Sequence, residues 1–241
     1  MTSSISPDAL AGPVDDTVNL AHLRRETYRL LAAALLYPDE SSIESMPVVA
    51  ARLRRSSHLA AKMAFFGPWE QFIAVTESLG LADLPALEQT YLALFVGTTV
   101  RRPVPLHETS YLDPAAELSG HVLADIEGAY AATGIAASPS TGEMSDHAAV
   151  ELEFVSYLIG EEESGWEANE VSQVLRSVRI QRRFLHRHPC VWLPALARGV
   201  ASRNPGGLYA AATSAAWAIA VHDVDFLSAL GDAVRAANRE T

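Results

Sequence analysis

Ser145-Asp-His-Ala-Ala-Val-Glu-Leu-Glu-Phe154 follows a stretch rich in Gly, Ser, Thr and Pro, and its period is helical. At about 100° per residue, His147, Glu151, Phe154 and Leu158 share one face of a helix, with Asp146, Val150, Glu153 and Tyr157 on the neighbouring stripe. Ionisable groups therefore share a surface with residues that favour burial.

Working outward, the same spacing recurs along the chain. Leu20, Leu23, Thr27, Leu30, Leu31 and Ala34 predict a helix over 16–37, capped by Asp16 and stopped by Pro38. Residues 1–15 carry Ser, Pro, Gly and Asp without periodicity and read as a mobile tail. Helices are expected over 42–55, over 58–79 with a break at Gly67-Pro68, and over 85–96 with Leu87, Tyr91, Leu94 and Phe95 on one side. Beyond 145, the spacing predicts helices over 145–163, 167–186, 188–201, 208–220 and 223–237. Asp113 and Pro114 mark the start of one more helix, which Gly134 ends. No window alternates like a strand. The expected fold is all-α, a single-domain bundle of about nine or ten helices over 16–241. Two long loops, 97–113 and 134–144, interrupt it, and loops of that length are usually functional. They would also permit a domain-swapped dimer as well as a monomer.

With 241 residues and a net charge of −11, the chain lacks the clustered basic surface that nucleic acid requires. An acidic surface suits a basic partner such as an arginine-bearing peptide. Cys190 is the one cysteine, so no intramolecular disulfide or thiolate-rich metal site can form. The first residues lack the basic start and apolar core of a signal peptide, and no apolar run approaches the ~18 residues of a membrane span. A cytoplasmic protein without stable membrane insertion is expected.

Asp146-His147 with Glu151 has two readings. It could be half of an acid/base or metal site, because a carboxylate beside a histidine fixes one imidazole tautomer. Alternatively, Asp146 complements the helix N-terminus and His147 pairs with Glu151 inside the bundle. The loop 103–111 offers Pro105, His107, Glu108 and Tyr111 for recognition, or serves as a rigid connector. No paired Glu-x-x-His, His-Glu-x-x-His, phosphate loop, dinucleotide fingerprint or nucleophile elbow is present, so no metal, cofactor or catalytic activity is expected. Trp69, Trp166, Trp192 and Trp217 suit core packing or a peptide groove.

The ordered segments Tyr91-Leu-Ala-Leu-Phe95-Val-Gly97, Pro105-Leu-His-Glu108 and Asp146-His147 leading to Glu151-Leu-Glu-Phe154 resemble the TorD/DmsD/NarJ redox-enzyme maturation chaperones. The run Gln181-Arg-Arg-Phe-Leu-His-Arg-His188, followed by Trp192-Leu-Pro194, is similar to a later segment of that family. The resemblance covers roughly 20–235. It implies a cytoplasmic, non-enzymatic chaperone that binds the leader peptide or apo form of the catalytic subunit of a molybdopterin oxidoreductase. Such a chaperone assists cofactor insertion and delays export. By the same resemblance, the leader-binding surface maps to Tyr91, Leu94, Phe95, Pro105, Glu108, Asp146 and His147, and His107 and Glu151 join them as candidate client-binding residues. Ser145 stands where the family usually has proline, and His107 where it usually has an aromatic residue. Acidic side chains can bind twin arginines bidentately, which fits this role. The alternatives are a NarJ-like chaperone for a client that is not exported, and a small helical enzyme using Asp146 and His147 as acid and base.

Overall fold

The computed structural model describes residues 11–97, 102–112, 119–135 and 142–239. Ten α-helices occupy these residues: α1 (Ala11–Ala34), α2 (Glu40–Arg55), α3 (Ser57–Ala60), α4 (Phe66–Glu77), α5 (Leu84–Tyr91), α6 (Ser119–Ala131), α7 (Ala148–Glu167), α8 (Val171–Arg187), α9 (Pro189–Ala201) and α10 (Leu208–Ala237). No strand occurs among the described residues, only an isolated antiparallel bridge between His107 and His147. The all-α reading holds.

Local chemistry explains where the helices start and stop. Asp39 caps α2 by accepting from Ser42 N at 2.7 Å, while Ser42 Oγ accepts from Asp39 N at 3.0 Å, a reciprocal box that satisfies two end donors. Gly134, at φ 80, closes α6: Ile135 N reaches Tyr130 O at 3.2 Å and Gly134 N reaches Ala131 O at 3.0 Å. Asn169, at φ 55, does the same after α7, with Glu170 N donating to Gly165 O.

Several boundaries differ from the sequence expectation. The first helix already runs through Asp16, so that residue is no cap, and the helix ends at Ala34 before Tyr37. The break expected at Gly67-Pro68 lies earlier, at 61–65, because Pro68 is tolerated in the first turn of α4, where its missing N–H costs nothing. The two helices expected over 208–220 and 223–237 are one helix of 30 residues. His222 and Asp223 carry no breaker chemistry, and Asp223 is held inside the core. Residues 1–10, the Asp113-Pro114 start and the middle of both long loops lie outside the described residues.

Helices α7 and α10 form the centre. α1 and α8 pack on α7, while α4, α8 and α9 pack on α10. Ala211, Ala212, Ala215, Ala216 and Ala220 line the buried side of α10, so neighbouring backbones approach closely. One polar cluster crosses this core. Arg24 of α1, 1% exposed, donates to Asp223 of α10 at 3.0 Å, Glu162 of α7 at 3.2 Å and Gln181 of α8 at 2.8 Å. Burial opposes the Arg24 charge, but Asp223 and Glu162 outweigh it, so the guanidinium holds its proton more tightly than a free arginine.

Candidate functional site

Three segments far apart in sequence meet beside the N-terminus of α7. After α5, Leu92–Val96 forms a π-turn that Gly97, at φ 88, closes by donating to Leu92 O at 2.9 Å. The loop after it joins this turn through Val104 N, which donates to Leu94 O at 2.7 Å. The same loop then joins the α7 entrance: Glu108 N donates to Asp146 O at 3.0 Å and Ala148 N to Leu106 O at 2.8 Å. Tyr111 donates to Pro105 O at 2.8 Å and packs on Trp192, which stiffens the loop.

Asp146 is fully buried, and both its oxygens are occupied. Oδ1 contacts His107 Nδ1 at 3.1 Å, and Oδ2 accepts from Thr109 N at 3.2 Å and Thr109 Oγ1 at 2.6 Å. Burial opposes ionisation of Asp146, yet these hydrogen bonds outweigh it and hold its pKa below the ordinary carboxylate value. The Asp146 hydrogen bond in turn raises the His107 pKa against the opposing effect of burial.

The expected pairing of His147 with Glu151 does not form. His147 Nδ1 instead accepts from Ala149 N at 3.2 Å, capping α7, while its ring meets the His107 ring edge-on at 5.1 Å. Burial, and then the His107 charge, push its pKa down to about 4, so it is neutral at physiological pH. Asp146 and His147 therefore face different partners.

Glu151 belongs to a second buried cluster. Its Oε2 accepts from Trp192 Nε1 at 3.1 Å, while Oε1 is buried without a hydrogen-bond partner among the described residues; the nearby Glu108 contacts His188 Nδ1 at 3.1 Å. His188 Nε2 in turn reaches Asp125 at 3.1 Å. A buried carboxylate beside a second carboxyl group is disfavoured both by desolvation and by like charge. Burial, and then the Glu108 charge, raise the Glu151 pKa well above its ordinary 4.5. Its contribution to stability is complete below pH 4.5 and declines as pH rises toward the raised value. Glu151→Gln keeps the acceptor for Trp192 and removes the titration. We expect urea unfolding to show the variant gaining on wild type as pH rises above 4.5; parallel profiles would contradict the raised Glu151 pKa.

Tyr91, Leu94 and Phe95 point inward rather than lining an open groove. Tyr91 and Phe95 pack edge-on at 4.9 Å, and Tyr209 of α10 meets both rings. Of the nine candidate client-binding residues, only Pro105 and His107 are partly accessible. The exposed apolar groups are Leu92, Val96 and Met144, which carry 44%, 62% and 56% of their full exposure. Thr109 and His188, both central to the geometry, were missed from sequence. The available signal for His188 was its place, four residues before Trp192, in the run that resembles the family; it stands just before α9.

A third grouping was invisible to ligand-spacing rules. His107, Glu143 and His147 each place one ligand atom within 4.8 Å of the others. His147 accepts a backbone N–H at Nδ1, so its neutral ring carries the proton on Nε2 and offers no lone pair there. A cation would have to break the α7 cap. The Cys190 thiol, pushed up to about 12 by burial and then by Asp223, offers no thiolate nearby.

A family model described as the nitrate reductase delta subunit matches residues 59–198, more than half of the chain and every segment of this site. The chain belongs to that family. It is a chaperone family that works with nitrate reductase-type molybdoenzymes, not a family of catalysts. Neither a curated protein nor a solved structure matches the chain. No helix among the described residues is long and apolar enough to cross a membrane.

Proposed function

We propose that this chain is a cytoplasmic assembly chaperone that holds the catalytic subunit of a molybdopterin oxidoreductase by its leader peptide. The leader lies on the surface where 91–97, 104–109 and 143–147 meet. The observation that carries this reading is the backbone joining of the three segments, through Val104 to Leu94, Glu108 to Asp146 and Ala148 to Leu106. Exposed Leu92, Val96 and Met144 supply apolar contact for the leader's hydrophobic part.

Because both Asp146 oxygens are occupied, a client arginine gains Asp146 by replacing His107 as donor to Oδ1, with Glu143 beside it as a second carboxylate. Titration of the full chain with the leader of its client tests this. A twin-lysine leader is expected to bind about tenfold more weakly than the twin-arginine form, since lysine cannot make the bidentate contact. Equal affinities would remove guanidinium recognition. That result would favour a second reading, supported by the nitrate reductase match itself, in which the client is not exported and its leader lacks the arginine pair.

A further inference from the structure

Helix α8 concentrates positive charge in a chain whose net charge is −11. Arg176, Arg179, Arg182, Arg183, His186 and Arg187 are all exposed, and at helical spacing they occupy an arc of roughly 140°. Among the described residues, Arg176, Arg179, Arg182 and Arg183 make no hydrogen bond or ion pair, although Arg187 pairs with Asp125. Several arginines elsewhere on the surface are paired, Arg25 with Glu163, Arg29 and Arg52 with Glu26, and Arg54 with Glu77, whereas the unpaired Arg55 and Arg198 stand singly rather than in a cluster. Four adjacent like charges repel one another, and neutralising them on a partner relieves that cost.

Grooves run along both sides of this ridge. One, of about 410 Å³, lies between α8 and α10 with Leu175, Val178 and Leu227 in its wall. The other, of about 550 Å³, lies between α6 and α8 with Ala129, Ile180 and Phe184. Arg179, Arg183 and Arg187 border both grooves.

We propose that the α8 face is a second docking surface, for a carboxylate-rich amphipathic segment of a protein partner. Arg179, Arg183 and Arg187 rise about 6 Å per step, the rise between carboxylates placed four residues apart on a partner helix. Guanidinium groups take carboxylates bidentately, and the flanking grooves receive the segment's apolar side chains. Nucleic acid fits less well. The ridge from Arg176 to Arg187 is only about 17 Å long, so a longer polyanion runs onto the acidic remainder of the chain. The surface lies outside the three segments of the leader site and does not depend on that reading, although Arg187 shares Asp125 with His188 at the edge of one groove.

The test titrates the full chain with a synthetic amphipathic peptide of about 20 residues, bearing Glu every fourth position and Leu between. A lysine-for-glutamate version, an RNA of similar length and anionic phospholipid vesicles are the comparison probes. The acidic peptide is expected to bind most tightly and to weaken about tenfold or more between about 50 and about 300 mM NaCl. Arg179→Gln with Arg183→Gln, at positions with no partner to lose, should weaken it about tenfold while leaving the melting temperature and leader affinity unchanged. Tighter binding of RNA or vesicles, equal binding of the lysine peptide, or no effect of the double variant would overturn the assignment.

Discussion

Arg24→Met is expected to lower stability by about 3–5 kcal/mol, because it leaves Glu162 and Asp223 as buried carboxylates without their shared cation. For a chain of this size that corresponds to a fall in melting temperature of roughly 6–20 °C. Arg24 ties α1 to α7, α8 and α10 at once, and both partners are under 2% exposed. Tyr28 adds a hydrogen bond to Asp223 at 3.1 Å, and Gln181 one to Glu162 at 2.8 Å. Adding Glu162→Gln and Asp223→Asn to Arg24→Met removes the orphaned charges and should recover a good part of the loss. Calorimetry on the single and triple variants checks both results. A single variant within about 0.5 kcal/mol of wild type would show that the cluster carries little net stability.

Asp146→Ala has the second large effect, and it acts on the site rather than on the whole bundle. Three donors lose their acceptor: His107 Nδ1, Thr109 N and Thr109 Oγ1. The expected cost is about 3 kcal/mol, the sum of a charged and two partly buried hydrogen bonds. Loop 102–112 should then separate from the α7 entrance. Amide exchange at Glu108 and Ala148, now held by Asp146 O and Leu106 O, would accelerate. The pKa of His107 should fall toward its ordinary 6.5, because the hydrogen bond that raises it is gone. In wild type, this pair contributes fully between pH 3.8 and pH 6.5; it loses strength as pH rises through the raised His107 value and again as pH falls through the lowered Asp146 value. Unchanged exchange and an unchanged His107 titration would contradict the arrangement.

Helical period made most of the fold readable from sequence. The boundary of α9 at Pro189 and the end of α6 at Gly134 follow from proline and glycine chemistry that is local to the chain. Continuity of α10 through His222-Asp223 was not readable. Asp223 looks like a helix start, and only Arg24, 199 residues away, shows why it is buried in mid-helix. At the site, sequence order picked out the segments that converge. It could not tell which side chains face inward. Tyr91 and Phe95 look like a contact surface until Tyr209 of α10 is seen against them. His147 and Glu151 have the spacing of a helical pair, but the cap at Ala149 and the Trp192 indole claim them separately. A pairwise rule along one helix cannot rank those competing tertiary partners.

The convergence of three segments into one client site is most directly tested by hydrogen exchange on the full chain, with and without the leader of the catalytic subunit that co-purifies with it. The account predicts slowed exchange across 91–97, 104–109 and 143–148 together, with α8 unchanged. Protection confined to α8, or to one of the three segments alone, would contradict it.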